Sequence, residues 1–434
     1  MEPPQLTAAP VAPPVRKREI FGWAMFDFAN SSFTTLIVTV AYSVYFTKLV
    51  APGDRADLLW GVGLAVSNLL VVLLAPAVGA AADASGRKKA FLFATYLICV
   101  AGTLALWWVR PGAVVLGLIL FIIADVGFAL GGGLISAFLP EIATPRTMGR
   151  ISGLGWGLGY FGGLACLMLV RPLLAGGFEA DNLQGLRLTW VVTGLFFLIA
   201  GIPTFVLLRE RASRRPLGGV GGAVRSAYLR IRTTGHSLRH FSELTRFLGV
   251  ALLAASGLSA VIAFSAVYAE RTIGFSPEEL ILLFIALQLT SAAGALGCGF
   301  LQDWLGGKRT IALTLLLWFG VCLSAATVTT QGAYWIVALV AGLGIGSLQS
   351  TVRAVVGLLS PPEKSGEFFG FWSMAGQIAG AVGPLAFGLI SSLTGSQRQA
   401  VVVIAMFFLA SLVGLFRVSE ERGRAAAEAW RERS

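Results

Sequence analysis

Three charged side chains sit deep inside long apolar stretches of this chain: Asp27, Asp125 and Arg353. In a hydrocarbon surrounding, each costs at least ~2.5 kcal/mol if it faces lipid, so each should face a protein interior or a water-filled cavity. Asn30, Ser31 and Thr34 follow Asp27 at i+3, i+4 and i+7, which places all four on one face of a helix. A stripe of carboxylate, carboxamide and hydroxyls can accept hydrogen bonds and positive charge from a solute. An arginine fork can bind a carboxylate through two bonds at once. Asp27 lies about 10 Å along its helix from Ile20, and Arg353 about 9 Å from Leu359, so the two sit at one depth. Two uses are open for the pair: closing a gate, or holding the ammonium and carboxylate of a zwitterion. The stripe runs on toward the midplane, with Asn30 about 15 Å from Ile20, and this favours the zwitterion site. Asp125, about 18 Å into its run, is the candidate proton carrier, with a hydrogen-bonded structural role as the alternative. Both histidines lie outside the apolar runs, so proton coupling falls to carboxylates.

The elements that must position these residues follow from composition. Of the 434 residues 56% are hydrophobic and 13% charged, and the mean hydropathy is +0.79. A water-soluble domain could not keep so much apolar surface dry. Runs of roughly twenty apolar residues, each long enough to cross a ~30 Å hydrocarbon core, recur along the chain. They predict an all-α integral membrane protein with spans at 20–48, 58–82, 90–109, 112–139, 150–170 and 188–208. A second set follows at 247–269, 279–301, 310–329, 333–359, 367–391 and 399–417. The polar stretch from Arg209 to Arg246 separates two groups of six.

Most of the 33 Lys and Arg fall in alternate loops. By the positive-inside asymmetry this places both termini and the central loop in the cytoplasm. The expected organisation is a disordered tail at 1–19, a six-helix bundle at 20–208, a basic linker at 209–246, a second bundle at 247–417 and a tail at 418–434. The first residues, "MEPPQLTAAPVAPPV", lack an apolar core of signal-peptide length. The basic linker points to a topogenic and anionic-lipid contact rather than to nucleic acid, so the net charge of +11 says little about function. Cys99, Cys166, Cys298 and Cys322 fall in four different spans, and His236 and His240 lie in the linker with nothing nearby to complete a metal site.

The two halves repeat each other. "GAAADASGRKKA" follows span 2 and "GFLQDWLGGKRT" follows span 8, aligning Gly79 with Gly299, Asp83 with Asp303, Gly86 with Gly306, Lys88 with Lys308 and Lys89 with Arg309, always 220 residues apart. Loops after spans 4 and 10 share Pro140 with Pro361, and Gly149-x-x-x-Gly153 with Gly366-x-x-x-Gly370. Such duplication is a mark of transporter architecture. An aspartate at the C-terminal end of a helix opposes that helix's own dipole and needs another partner. Arg87, Lys88 or a helix N-terminus in the other half can supply it, which makes Gly79, Asp83, Gly86, Arg87, Lys88, Lys89, Asp303, Lys308 and Arg309 a candidate conformational latch.

The G-x-x-x-D-x-x-G-R-K-K loop resembles the signature loop of the major facilitator superfamily, over essentially all twelve spans. "WAMFDFANSSF", "LPEI", "SGLGWGLGYFGG" and "EFFGFWSMAGQIAGAVGP" resemble its vacuole-effluxer branch, the autophagy-related amino-acid exporters and their bacterial members. The resemblance implies the two-bundle fold, with Asp83 facing the start of span 11 near Glu367 and Asp303 the start of span 5 near Met148. It also implies that spans 1 and 10 line a central cavity. Drug/proton antiporters of the superfamily typically carry an Arg in span 4 and Gly-Pro in span 5. Here span 4 lacks the Arg and span 5 reads Gly159-Tyr160, with Gly383-Pro384 in span 11 instead.

The expectation is a monomeric secondary active transporter of the cell (inner) membrane, not an enzyme. It would move small polar or zwitterionic solutes, amino acids among them, with H+ as coupling ion and no cofactor or metal. A drug or lipid exporter of the same fold, and a non-transporting receptor or scaffold, are the alternatives.

Overall fold

The computed structural model describes residues 14–51, 53, 55–211 and 241–431, and is all-helical in them. Twelve helices are long and apolar enough to cross a membrane. They are Lys17–Val50, Leu58–Ser85, Lys88–Trp108, Val114–Ile142, Met148–Leu174 and Ala180–Leu207, then Ser242–Ile273, Leu282–Leu305, Gly307–Thr327, Gln331–Leu359, Pro362–Thr394 and Gln397–Phe416. We number them spans 1 to 12. Most of the expected linker, with His236 and His240, and the first residues of the expected tail lie outside the described residues. Within the described part, span 1 begins at Lys17 and span 7 at Ser242, each a few residues earlier than apolarity alone suggests. Residues 420–431, expected as tail, form a further helix.

Local chemistry sets several boundaries. Span 2 stops where Gly86 takes a left-handed conformation with φ 60° and closes its N–H on the carbonyls of Ala82 and Asp83, a geometry that glycine adopts without the Cβ penalty. The helix of span 8 starts at a capping box in which Ser276 and Glu279 exchange side-chain and backbone bonds. Span 1 is not a regular helix throughout. Beyond Phe33 its turns widen over Thr34–Val40 and again over Phe46–Val50.

Each half has its own core. Trp23, Phe33, Tyr42, Phe121 and Trp190 pack in the first, and Phe247, Ile311, Trp318 and Phe408 in the second. The buried tyrosine tips in the first core find partners: the Tyr42 and Tyr45 hydroxyls donate to the carbonyls of Gly117 and Val109. The halves meet through span 2 against span 11 and span 5 against span 8. Small residues permit this closeness: a Cβ on Gly79 would strike the backbone of Gly366, one on Gly153 the carbonyl of Ala295, and one on Gly370 the carbonyl of Ala75.

Candidate functional site

Asp27 and Arg353, from opposite halves, meet. Arg353 Nη1 donates to Asp27 Oδ2 at 2.6 Å. The same guanidinium reaches span 5, with Nε donating to the Ser152 hydroxyl at 3.1 Å and Nη2 to the Ser152 carbonyl at 2.7 Å. Ser152 in turn donates to the Ser350 carbonyl of span 10 at 2.7 Å. Arg353 is only 2% exposed, and the rings of Trp23 and Trp156 lie 4.8 and 5.3 Å from its central carbon. A buried guanidinium is tolerable only when paired and bonded in this way. Gly155 makes room for it, since a Cβ there would meet both Asp27 and Arg353.

The rest of the stripe lies beside the pair. Ser31 donates its hydroxyl to the Asp27 carbonyl at 2.9 Å. The Asn30 Oδ1 is buried and has no hydrogen-bond partner among the described residues. Thr34 is exposed at the first widened turn. Asp125 is apart from this cluster, inside the first bundle, where it accepts a hydrogen bond from Ser67 of span 2 at 2.6 Å.

Two further junctions lie at the end of the bundle that carries the signature loops. Asp83 accepts the N–H groups of Gly366 and Glu367, at 3.0 and 2.8 Å, at the start of span 11. Asp303 accepts those of Gly149 and Arg150, at 2.8 and 3.2 Å, at the start of span 5. Both carboxylates thus sit on the positive end of a helix in the other half. The junctions differ in the cation. Lys88 is 1% exposed and holds Asp83 at 3.1 Å and Glu141 at 2.7 Å. It also donates to the Ser365 hydroxyl and the Pro362 carbonyl across the halves, at 2.6 and 3.0 Å. At the second junction the only cation paired with Asp303 among the described residues is the half-exposed Arg150, at 3.7 Å.

Residues 62–428 match the family described as "Vacuole effluxer Atg22 like". The chain belongs to that family. It is 24% identical over 407 residues to "Uncharacterized MFS-type transporter YxiO" of Bacillus subtilis, covering 92% of this chain and 94% of the relative. It is 25% identical over 307 residues to "Autophagy-related protein 22" of Cryptococcus neoformans, covering 66% of this chain and 56% of the relative. The chain therefore spans just over half the length of that fungal relative. The human organic anion transporter MFSD10 superposes with a TM-score of 0.73 at 16% identity, covering 92% of this chain and 99% of its own. The proton:xylose symporter XylE gives 0.72 at 14%, covering 95% and 98%. The protein is a multi-pass membrane transporter of the major facilitator superfamily, a class of proteins that are not enzymes, and of its Atg22-like branch.

In this Atg22-like transporter the 220-residue register of the signature loops needs one correction. Lys89 donates its backbone N–H to Glu210 at 2.8 Å and its Nζ to the Leu208 carbonyl at 2.6 Å. Lys308 does the same with Glu420 at 3.0 Å and the Val418 carbonyl at 2.6 Å. Lys89, not Lys88, is the counterpart of Lys308, because the second loop is one residue shorter. The place of Lys88 is taken by Gly307, the first residue of span 9. Burial pushes the Glu210 carboxyl up, opposed by the bond from Lys89. Arg87 and Arg309 are exposed at the surface. Sequence reasoning missed Ser152, Trp23, Trp156, Glu141 and Ser365. All but Ser365 fall inside stretches that carried the family resemblance, but only a partner across the fold gives them a role.

Proposed function

We propose that the protein is a secondary active transporter that moves small polar or zwitterionic solutes across the cell (inner) membrane by alternating access of its two halves, coupled to protons. One observation carries the reading: the bonds from Asp83, Asp303 and Arg353 to the opposite half tie span 11 to span 2, span 5 to span 8, and span 10 to spans 1 and 5. Each is a hydrogen bond to a charged group, about 1.5 to 3 kcal/mol, large enough to hold a closed state and small enough for solute binding to release. With both termini cytoplasmic, which the cation asymmetry supports, the described state is closed toward the cytoplasm. Asp27, Asn30, Ser31, Thr34 and Arg353 form the solute site and its floor, and the latch residues govern its exposure. Both halves of the gate come from one chain, so a monomer suffices. Amino acids as substrates rest on the resemblance to the vacuole-effluxer branch. A bacterial relative of nearly the same length supports the cell membrane, and a proton:xylose symporter of the same fold supports proton coupling. Asp125, a lone buried carboxylate on one hydroxyl, is the proton carrier. Basic segments at the cytoplasmic face contact anionic lipid.

The test is counterflow in proteoliposomes, with a panel of labelled amino acids, peptides, sugars and nucleosides, with and without a pH gradient. Exchange of at least one polar solute, accelerated by the gradient, is expected. Accumulation of lipophilic cations with no exchange of any polar solute would overturn it in favour of a drug exporter.

A further inference from the structure

The hydrogen bonds around Asp27 are lopsided. Its Oδ2 is taken by Arg353, while its Oδ1 accepts nothing from the described residues and its side chain keeps 13% exposure. One turn further along the same face, the Asn30 Oδ1 is buried without a donor among the described residues. The Ser31 hydroxyl spends its proton on the Asp27 carbonyl, which leaves its lone pairs open. Three acceptors at neighbouring positions of one helix face therefore lack donors among the described residues, one of them on a carboxylate. Leaving the buried Asn30 oxygen unpaired costs free energy that a ligand with a matching N–H group recovers.

Arg353 is the opposite case. All three guanidinium nitrogens donate, one to Asp27 and two to Ser152, and aromatic rings lie over it. Three of its five N–H groups are spent in this way, and its charge already faces the Asp27 carboxylate. The indole Nε1 of Trp156, beside the guanidinium, is buried and donates to nothing among the described residues. It offers one neutral hydrogen bond to any oxygen acceptor.

We propose that span 1 carries an ammonium seat: Asp27 Oδ1, Asn30 Oδ1 and Ser31 Oγ receive the three N–H groups of a primary ammonium on the solute. Arg353 is a positioning residue that fixes the Asp27 carboxylate, and the Trp156 indole takes a neutral acceptor on the same solute. This deepens the transporter reading above and rests on it. It narrows the substrate class to amine-bearing solutes in which a carbonyl can replace the carboxylate, because the cation beside the stripe, Arg353, is already paired with Asp27.

The experiment compares alanine, leucine and phenylalanine with their carboxamides, which keep the amine and lose the acid, and with their N-acetyl forms, which keep the acid and lose the ammonium. Each competes for counterflow in proteoliposomes of the full chain. The amides should compete within about threefold of the parent amino acids, and the N-acetyl forms at least tenfold more weakly, the size of losing a hydrogen-bonded charge. N-acetyl forms that compete as well as their parents, with amides that fail, would overturn the seat and leave the transporter intact. Failure of every polar solute in the wider panel would overturn the transporter reading, and the seat with it. Asn30→Ala and Ser31→Ala should each raise KM for amino acid and amide alike by roughly tenfold with kcat held, on protein that remains monodisperse. Arg353→Lys should restore part of the KM lost in Arg353→Gln for amides as well as acids. Rescue confined to acids would assign Arg353 to the substrate carboxylate and refute its positioning role.

Discussion

Asparagine substitution at the two signature aspartates should expose an inequality between the junctions. Asp83 and Asp303 each accept two backbone N–H groups from the opposite half. The Asp83 side chain is wholly buried, whereas that of Asp303 retains 14% exposure. Asn offers one carbonyl oxygen where Asp offers two charged ones, so one N–H loses its acceptor and the other exchanges a charge-assisted bond for a neutral one. Bonds to charged groups are worth about 1.5 to 3 kcal/mol and neutral ones about 0.5 to 1.5. Part of the loss is offset because the amide is easier to bury. The net for Asp83→Asn is roughly 2 kcal/mol against the closed state, or about 30-fold in the ratio of closed to open. At Asp303 water can reach the vacated N–H groups, and about 0.5 to 1 kcal/mol remains, a shift of roughly two- to fivefold. Lys88 keeps Glu141 in Asp83→Asn, so no buried cation is orphaned and the fold should survive. The assay is maleimide labelling of single cysteines placed toward either end of spans 5 and 11, in a background without the four native cysteines. A shift from Asp303→Asn as large as that from Asp83→Asn, or none from Asp83→Asn, would refute the weighting.

Asp125→Asn should abolish accumulation driven by a pH gradient while leaving solute exchange intact, since exchange moves no net proton; loss of both would mark a structural or substrate role. Exchanging the charges, Asp27→Arg with Arg353→Asp, should not restore the transport that either single change destroys, because an ammonium seat needs its carboxylate on span 1; near-parental transport in the double variant would leave only a gate. Gly79→Val places a side chain in the Gly366 backbone and should lower the closed population more than tenfold by the same labelling, while Gly249→Ala, which meets nothing within 4 Å, serves as the silent control. Trp430 packs tilted against Phe241 with ring centres 5.6 Å apart, and its ring lies 4.4 Å from the Lys364 ammonium, so Trp430→Ala should lower the apparent Tm by several degrees; an unchanged Tm would show that the helix at 420–431 does not brace the second half.

The membrane fold was legible because its causes act along one dimension. Runs of apolar residues of bilayer length, the alternation of cations between loops, and a loop pattern repeated at constant offset can all be read without knowing which helices touch. The intramembrane charges were legible for a related reason: a charge in hydrocarbon is so costly that its presence demands an interior partner. Helix periodicity put Asp27, Asn30, Ser31 and Thr34 on one face. Apolarity was blind to the helix at Glu420–Arg431, whose contacts with Phe241, Leu359 and Lys308 lie far off in the chain.

Other features were decided only when the two halves came together. That Arg353 spends two of its nitrogens on Ser152, and so anchors Asp27 rather than standing free, depends on the closeness of spans 5 and 10 that Gly155 allows. The unequal junctions arise in the same way. The one-residue shortening of the second loop is a small change in sequence, yet it removes a lysine from the buried position that Lys88 fills and leaves Gly307 there. Hydrocarbon length and the cost of burying charge fix what must cross the membrane and what must be paired, and these act on each residue alone. Which partner it finds is set by distances of about 3 Å between residues hundreds of positions apart, which sequence spacing does not encode.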